Sequence, residues 1–195
     1  ASGIGIGTIS GLGTSFINFG QLKIDASASW SIGGSNTQQA GSTITNLGTL
    51  FLDNATLAGG ADLANSGIVL IDPSAFTIDD LTGSGFVTIA DGSTFTVGGS
   101  AAVGQKVVFA GTTGLLSLGT PGAFASVIGG FDQGLTIDLP DTMTITSGTI
   151  LAGNLMQLNI QGGTTVDLQL DPLHSYAGQS VIANGDQVTL SAPCF

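Results

Sequence analysis

Asp79 and Asp80 form the only pair of adjacent acidic residues in this 195-residue chain. Two carboxyl groups held at a fixed separation are what a glycoside hydrolase needs, one as acid and one as base or nucleophile. Adjacent side chains in an extended strand, however, point to opposite faces. We therefore predict that the pair lies at a solvated turn or strand edge. A polysaccharide-degrading enzyme ranks third among the functions considered, and no catalytic residue is assigned.

His174 is the only histidine, and it lies in the polar segment 171–176. A zinc site draws its ligands from several His or Cys residues, and the single cysteine, Cys194, has no partner for an internal disulfide. A serine nucleophile of the hydrolase type sits on a sharp strand-to-helix turn, and Ser84, between two glycines, lacks that setting. We predict that His174 is a surface loop residue and that the chain is not an enzyme.

Calcium is the metal that the composition favours most, because all thirteen acidic residues are Asp and Ca²⁺ prefers hard oxygen ligands. The tandem Gly-Gly-x-Gly-x-Asp repeat of calcium-binding β-helices does not occur. Asp132 and Asp186 are isolated acids in turn-like segments. We predict no dedicated metal site and no cofactor.

The composition favours strands and turns over helices. The chain has 32 glycines, only two basic residues (Lys23 and Lys106), no Arg and no Glu, and its net charge is −11. Nucleic-acid binding requires Lys and Arg to neutralise phosphates, so we predict no nucleic-acid partner. No run of about 18 apolar residues is present, which argues against membrane insertion.

A repeat with a period of roughly 19 residues organises the chain. Each unit contains Asn or Gly, followed by one variable residue, a Gly and a run in which apolar residues alternate with others. The clearest copies are residues 44–52, 63–71 and 81–89. The glycine at the third position of the unit recurs at nearly equal intervals as Gly48, Gly67 and Gly85. Short strands at this period predict a β-solenoid, in which each repeat buries its apolar side chains by stacking on its neighbours.

The asparagines of the repeat have two interpretations. Asn18, Asn46 and Asn65 precede comparable turns, and stacked Asn side chains can form a hydrogen-bonded ladder between coils. Alternatively, Asn is present because it tolerates turn geometry. The sequence does not separate these two interpretations.

We predict one all-β domain over residues 1–195, a single-stranded, right-handed parallel β-helix of roughly ten coils and about 45–50 Å, given a strand spacing of about 4.8 Å. Residues 1–16 form an opening coil, 17–104 regular repeats and 105–193 less regular coils, while 194–195 begin a following domain. The interval from Gly20 to Gly48 is longer than the interval from Gly48 to Gly67. Its excess is assigned to a protruding polar loop at 34–41.

The chain resembles the β-solenoid passenger segments of secreted or surface-attached, autotransporter-like bacterial proteins. The resemblance rests on the Asn-x-Gly-x-apolar units, on residues 107–118 and on the segment Gly-Gly-Phe-Asp-Gln-Gly-Leu-Thr-Ile-Asp-Leu at 129–139. It implies an exported parallel β-helix with a structural or adhesive role. The segment Ser-Ala-Pro-Cys-Phe at 191–195 is similar to the junction with a Hedgehog/intein-type (Hint) autoprocessing domain, in which Cys194 would attack the carbonyl of Pro193.

The function that we expect is structural. A solenoid ends in unpaired strands that need a cap or a partner, and the sequence shows no charged amphipathic helix to act as a cap. We therefore expect a secreted or cell-surface subunit that associates head to tail with itself into a fibre or matrix. The alternative is an adhesin or glycan-binding module that binds cell-surface glycans with the loop at 35–41 and its flat faces.

Overall fold

The computed structural model describes residues 5–193. In this range the chain forms eighteen strands and two three-residue 3-10 helices, 121–123 and 152–154. The strands are β1 (Gly7–Ile9), β2 (Gln21–Ile24), β3 (Ser29–Thr37), β4 (Thr43–Asn46), β5 (Thr49–Asn65), β6 (Ile68–Asp72), β7 (Ala75–Gly83), β8 (Phe86–Ile89), β9 (Ser93–Val97), β10 (Lys106–Phe109), β11 (Gly114–Leu118), β12 (Val127–Gly129), β13 (Leu135–Asp138), β14 (Ile145–Leu151), β15 (Leu155–Ile160), β16 (Thr165–Gln169), β17 (Val181–Asn184) and β18 (Gln187–Leu190). No helix among the described residues has the length and apolar character to cross a membrane.

Residues 7–138 wind into a parallel β-solenoid with three faces. Face A stacks β1, the start of β3, the start of β5, β6, β8, β10 and β12. Face B stacks the end of β3, the middle of β5, the start of β7, β9, β11 and β13. Face C stacks β2, β4 and the ends of β5 and β7, then continues as single bridges. The seven strands of face A correspond to about seven coils.

The core consists of columns of apolar side chains, because alternate residues of each strand point inward. Residues in register in successive coils stack directly on one another and are buried. The columns are Leu50, Val69, Val87, Val107 and Ile128 in face A, Leu57, Phe76, Phe95, Leu116 and Ile137 in face B, and Ile44, Leu63, Leu81, Ala101 and Phe124 in face C. Each coil therefore buries much of its apolar surface against the coils above and below it.

The glycine of the Asn-x-Gly unit is required by close stacking. A Cβ atom on Gly67 would lie 2.1 Å from the carbonyl oxygen of Gly48, and one on Gly85 would lie 2.4 Å from that of Gly67. Such distances are far inside van der Waals contact. These three glycines allow the corner between faces C and A to approach the next coil closely.

The polar stretch 34–41 does not form the protruding loop that we predicted. Residues 34–37 belong to β3 and pair with residues 55–58 of the next coil, which leaves only 38–42 as a turn. Asn36 is buried, its Oδ1 accepts a hydrogen bond from the N–H of Leu12, and its Nδ2 donates to the carbonyl of Gly33. Because Asn36 satisfies these backbone groups, a polar sequence is accommodated inside the solenoid.

The long interval from Gly20 to Gly48 does not indicate an insertion, because the two glycines do not occupy equivalent positions in successive coils. Gly20 precedes β2 on face C, whereas Gly48 precedes the face A portion of β5. The residues that are in register on face C are Leu22, Ile44 and Leu63, and these recur at nearly equal intervals. The coil is therefore close to regular here, and no long insertion is present.

Residues 139–193 leave the solenoid and fold over its last coil. Strands β14, β15 and β16 form an antiparallel sheet, and β17 and β18 form an antiparallel hairpin. Strand β18 pairs antiparallel with β13, and Leu170 bridges Ile128 of the last face A strand. We call residues 139–193 the cover. The expected ten coils become about seven because the strand-like runs of this segment form the cover, which caps the solenoid with strands instead of a charged helix.

Candidate interaction surfaces

A hydrogen-bonded ladder of polar side chains runs inside the solenoid. Asn46 Nδ2 donates to Asn65 Oδ1 at 2.9 Å, and Asn65 Nδ2 donates to Gln105 Oε1 at 3.3 Å. All three residues are buried, and Gln105 Nε2 also donates to the carbonyl of Thr82 at 2.7 Å. The ladder is confirmed for Asn46 and Asn65, whereas Asn18 is exposed with a φ of 63° and serves only as a turn residue. These buried residues hold the coils together.

The two carboxylates of the acidic pair have different environments. Asp79 is exposed, while Asp80 is half-buried and accepts hydrogen bonds from the N–H and the Oγ of Ser100 in the next coil. The backbone hydrogen bond from Ser100, followed by the side-chain bond, lowers the pKa of Asp80. Asp79 is solvated as predicted, but the pair lies within β7, at the corner between its face B and face C portions, instead of in a turn or at a strand edge.

An ion pair joins the solenoid to the cover. Lys106 Nζ lies 2.7 Å from Asp171 Oδ2, and both side chains are partly shielded from solvent. The hydrogen bond from Lys106 is the largest cause of a lowered pKa at Asp171, followed by the N–H of Leu173. Asn154 Nδ2 donates to the carbonyls of Asp171 and His174 at 2.7 Å each. These bonds fix the start of segment 171–176 against the antiparallel sheet.

A cavity of about 790 Å³ opens in the cover between residues 148–154 and 172–181. We call it the tail cavity. His174, at its wall, is exposed as predicted, and its ring lies 4.6 Å from that of Tyr176, which is 6% exposed. Burial, with smaller effects from nearby carboxylates, raises the pKa of Tyr176 to about 12. Within residues 5–193, Tyr176 Oη and Gln179 Oε1 are buried without a hydrogen-bond partner.

The two isolated acids considered for calcium take part in turns of the cover and last coil. Asp132 Oδ1 accepts hydrogen bonds from the N–H of Gln133 and from Gln179 Nε2. The carbonyl of Asp186 accepts a hydrogen bond from the N–H of Leu139. Among residues 5–193, no group of three or more His, Cys or Asp residues is placed to hold a metal ion.

The outer side of face B carries two rows of small and hydroxylated side chains. Successive strands place Ser35, Thr56, Ala75, Thr94, Leu115 and Thr136 in the first row, and Thr77, Thr96, Ser117 and Asp138 in the second. A groove of about 430 Å³ follows the first row from Ser35 to Thr94, beside Asn54 and Pro73. Asp138 is the only charged residue in these rows.

The first two coils expose five large apolar side chains, which we call together the head patch. Its members are Ile6, Phe16, Ile17, Phe19 and Trp30, with exposed fractions of 57, 45, 61, 52 and 40%. Trp30 lies over Gly7, where a Cβ atom would meet the indole ring at 2.8 Å. The alternation of Gly and Ile in residues 1–16 predicted an opening coil, but it gave no sign that residues 16–19 point outward.

The two ends of the solenoid differ in strand pairing. Within the described residues, β1 pairs only with β3, and β2 pairs only with β4. In the part of the chain that the structure describes, each therefore has one edge without a strand partner near the head patch. At the other end, β13 pairs with β18 and Ile128 is bridged by Leu170. The head patch thus coincides with open strand edges, which are sites where another strand can add.

Comparison with protein families, curated proteins and solved structures gives no match for this chain. The strand pairing alone defines the class of protein, which is an all-β, parallel β-solenoid with an antiparallel cover. The resemblance to autotransporter-like passenger segments stays a prediction. So does the Hint junction, because Cys194 and Phe195 lie outside the described residues.

Proposed function

We propose that this chain is a structural β-solenoid of a secreted or cell-surface protein, and that its copies associate end to end into an extracellular fibre or matrix. The observation that carries the proposal is the head patch near the edges of β1 and β2, which have no strand partner within residues 5–193. Exposed apolar side chains such as the contacting pair Phe16 and Phe19 are found at protein–protein contacts. Unpaired edges add backbone donors and acceptors to the same surface.

The distribution of charge also favours contact through this end. The chain has a net charge of −11, yet its first acidic residue is Asp25. Copies that approach through other surfaces bring carboxylates together, whereas the first coil contributes only Asp25, which is paired with Lys23. Electrostatic repulsion is therefore weakest where the apolar side chains are exposed.

The proposal includes a right-handed winding and an exported location. Parallel strands of one sheet are joined by right-handed crossovers in nearly all known cases, which favours a right-handed coil. Export and a bacterial, autotransporter-like context rest on the resemblance of the Asn-x-Gly units and of residues 107–118 and 129–139.

The test is the mass of the purified chain as a function of its concentration near neutral pH. Light scattering is expected to show species heavier than the 19.2 kDa monomer, and electron microscopy of the same sample is expected to show linear assemblies. A uniform monomer across the whole concentration range would reject the proposal.

A second candidate function is binding of a neutral glycan along face B. The groove beside Ser35, Thr56 and Thr94 supports it, because aligned hydroxyl groups can donate to and accept from sugar hydroxyls. A glycan array tests the idea with Thr94→Asp, which blocks the groove, and with Thr82→Asp on face C as its matched control. Binding that is lost only in Thr94→Asp would support glycan recognition, and an array without any binding would remove this candidate.

A further inference from the structure

We propose that the outer side of face B binds the surface of ice through its two rows of hydroxylated side chains. The ligand is a neutral, ordered lattice of water molecules, and binding at the growing surface restrains further growth of the crystal. The inference goes beyond the proposed structural role, because it concerns the side of the solenoid and needs no contact between copies of the chain.

The spacing of the two rows is set by the parallel stack. Strands in register lie about 4.8 Å apart, and alternate residues of one strand lie about 6.7 Å apart on the same side. Thr77 of β7 is in register with Thr96 of β9, and Thr94 and Thr96 are alternate residues of β9. The oxygen atoms on a prism face of hexagonal ice repeat at two perpendicular distances close to these spacings. Face B therefore places hydroxyl groups at several positions of such a lattice at once.

The side chains of the rows match a neutral, hydrogen-bonding surface. Most members carry a hydroxyl group: Ser35, Thr56, Thr94 and Thr136 in the first row, and Thr77, Thr96 and Ser117 in the second. The chain has thirteen Asp residues, yet only Asp138 lies in these rows, on the last strand of face B. Ice carries no net charge, so contact through uncharged hydroxyl groups avoids the cost of removing water from carboxylates.

The hydroxyl groups are held in position before any ligand binds. Thr is β-branched, so its side chain has few rotamers in a strand, and Thr77, Thr94 and Thr96 are half-buried among their neighbours. The strands that carry them rest on the buried, contacting rings of Phe76 and Phe95. Little conformational freedom is therefore lost on binding, and weak contacts that are made by one rigid surface add together.

The other two faces share the register but carry different outer side chains. On face A, Ile68, Phe86 and Lys106 follow one another in a single row, and Ile68 and Phe86 are 49 and 51% exposed. On face C, Asp62 is in register with Thr43, and Asp80 lies at the corner with face B. Large or charged side chains keep a lattice of water away from the backbone or bring charge against it. The stack alone does not produce a hydroxylated face, and face B owes this property to its own Thr and Ser residues.

The arrangement of the rows also separates ice from the glycan considered above. Two parallel rows repeat in two directions, as a plane of a crystal does, whereas a glycan chain follows a single line. The rows contain no aromatic side chain on which a sugar ring could stack. Face B as a whole therefore fits a lattice plane, and the glycan candidate uses only the groove beside its first row.

The experiment grows one ice crystal slowly from a dilute solution of the full chain and measures the fraction of the protein that enters the ice. Solutes that do not bind ice are pushed ahead of the growing crystal. Thr96→Lys places a long, charged side chain within the rows, and Thr77→Lys is the second variant in case Thr96→Lys misfolds. Thr88→Lys is the matched control, because Thr88 is a half-buried, outward-facing residue of β8 on face A. Circular dichroism in the cold verifies the folding of each variant.

We expect the unaltered chain and Thr88→Lys to enter the ice. The fraction of Thr96→Lys in the ice should be lower by about tenfold or more, as for a substitution at the centre of a contact surface. Solutions of the unaltered chain should also freeze at a lower temperature than that at which their ice crystals melt, because bound protein restrains crystal growth. This difference should disappear in Thr96→Lys and persist in Thr88→Lys.

Other outcomes overturn the inference or separate it from the proposed function. Exclusion of the unaltered chain from the ice would overturn it, and glycan binding in that case would assign face B to the glycan candidate. Uptake of folded Thr96→Lys equal to that of the unaltered chain, or an equal loss in Thr88→Lys, would show that face B is not the contact surface. An unaltered chain that enters the ice but never self-associates would reject the proposed function and support this inference.

Discussion

The stacked coils and the cover bury apolar side chains in two different ways. In the coils, each buried residue contacts the equivalent residue of the neighbouring coil, as Phe76 contacts Phe95 with ring centroids 5.7 Å apart. In the cover, antiparallel strands bring different residues together, as in the pairing of Met156 with Leu168. Buried polar side chains of the coils also bond to their equivalents in the next coil, since Asn46 Nδ2 donates a hydrogen bond to Asn65 Oδ1.

The comparison shows that a parallel stack places strict demands on residue type at a few repeated positions. A residue that fits one coil must also fit against its equivalent in the next coil. The cover has no such repetition. Turn glycines with open space around them occur in both regions, for example Gly122 in the coils and Gly153 in the cover. Substitutions at positions stacked between coils should therefore have the largest effects.

Gly67→Ala is the strongest test of the demand that close stacking places on the coils. The added Cβ would meet the carbonyl of Gly48 at 2.1 Å, so the coils must separate or distort, and the free energy of unfolding should fall by about 3 kcal/mol. Gly122→Ala is the control, since nothing lies within 4 Å of the new Cβ, and its effect should stay within about 0.5 kcal/mol. Denaturant unfolding measures both. Equal effects would show that close stacking at the corner is not required.

Removing one side chain of the interior ladder should have the next largest effect. Asn65→Ala removes the acceptor of the bond from Asn46 and the donor to Gln105, and should lower the free energy of unfolding by about 2 kcal/mol. Asn159→Ala in the cover removes a hydrogen bond to Ser147 that is exposed to solvent, and should cost well under about 1 kcal/mol. A larger loss for Asn159→Ala would contradict the distinction between the regions.

Lys106→Gln tests the ion pair between the coils and the cover. The pKa of Asp171 is lowered in the folded chain, so its contribution is present above the unfolded pKa of about 3.9 and is lost as the pH falls through the folded value. Partial exposure limits the loss at pH 7 to about 1 kcal/mol or less. The difference between variant and unaltered chain should shrink below pH 4, as measured by urea unfolding at several pH values. A difference independent of pH would exclude the charge interaction.

Tyr176→Phe should have the smallest effect at neutral pH and a distinct effect in alkali. The Oη of Tyr176 has no partner within the described residues, so its removal should leave stability unchanged or slightly higher. Because the folded pKa is raised to about 12, above the usual value of about 10, the unaltered chain should lose stability as the pH rises between these values. The variant should lack this loss. As Tyr176 is the only tyrosine, absorbance of the tyrosinate reports its pKa directly, and titration near pH 10 would contradict its burial.

Much of the stacked region could be predicted from the sequence because its physical demands repeat. Alternating apolar residues in 44–52, 63–71 and 81–89 indicated the inward columns, and the glycine of each unit marked a close approach. The place of Gln105 in the ladder could not be predicted in this way. Its side chain occupies the space that Gly83 leaves free, where a Cβ would lie 3.2 Å from Gln105 Nε2, and no local pattern links these two residues.

The cover was harder to predict because alternation does not distinguish parallel from antiparallel strands. A stronger signal was present in the turn residues. Gly-Asp at 185–186 between two apolar runs is a hairpin signal, and these two residues join β17 to β18. The pair Gly162-Gly163 likewise separates β15 from β16. Reading these turns as hairpins would have ended the solenoid near Leu139.

The interaction surfaces were the least predictable part of the molecule. Exposure of Phe16, Ile17 and Phe19 depends on the first coil having neighbours on one side only among the described residues. The tail cavity depends on the packing of segments 148–154 and 172–181, which the rest of the antiparallel sheet separates in sequence. Neither property follows from local composition or period.

The equivalence of Asn46 and Asn65 has a consequence for how such a chain can change over generations. Because the segment between them completes one turn and returns to the same register, a tandem duplication of residues 47–65 in the gene would add one whole turn. The new turn would meet the same neighbours as the old one, and both termini of the stack would keep their surfaces. Lineages can therefore lengthen or shorten this protein in whole turns while selection acts separately on its two ends.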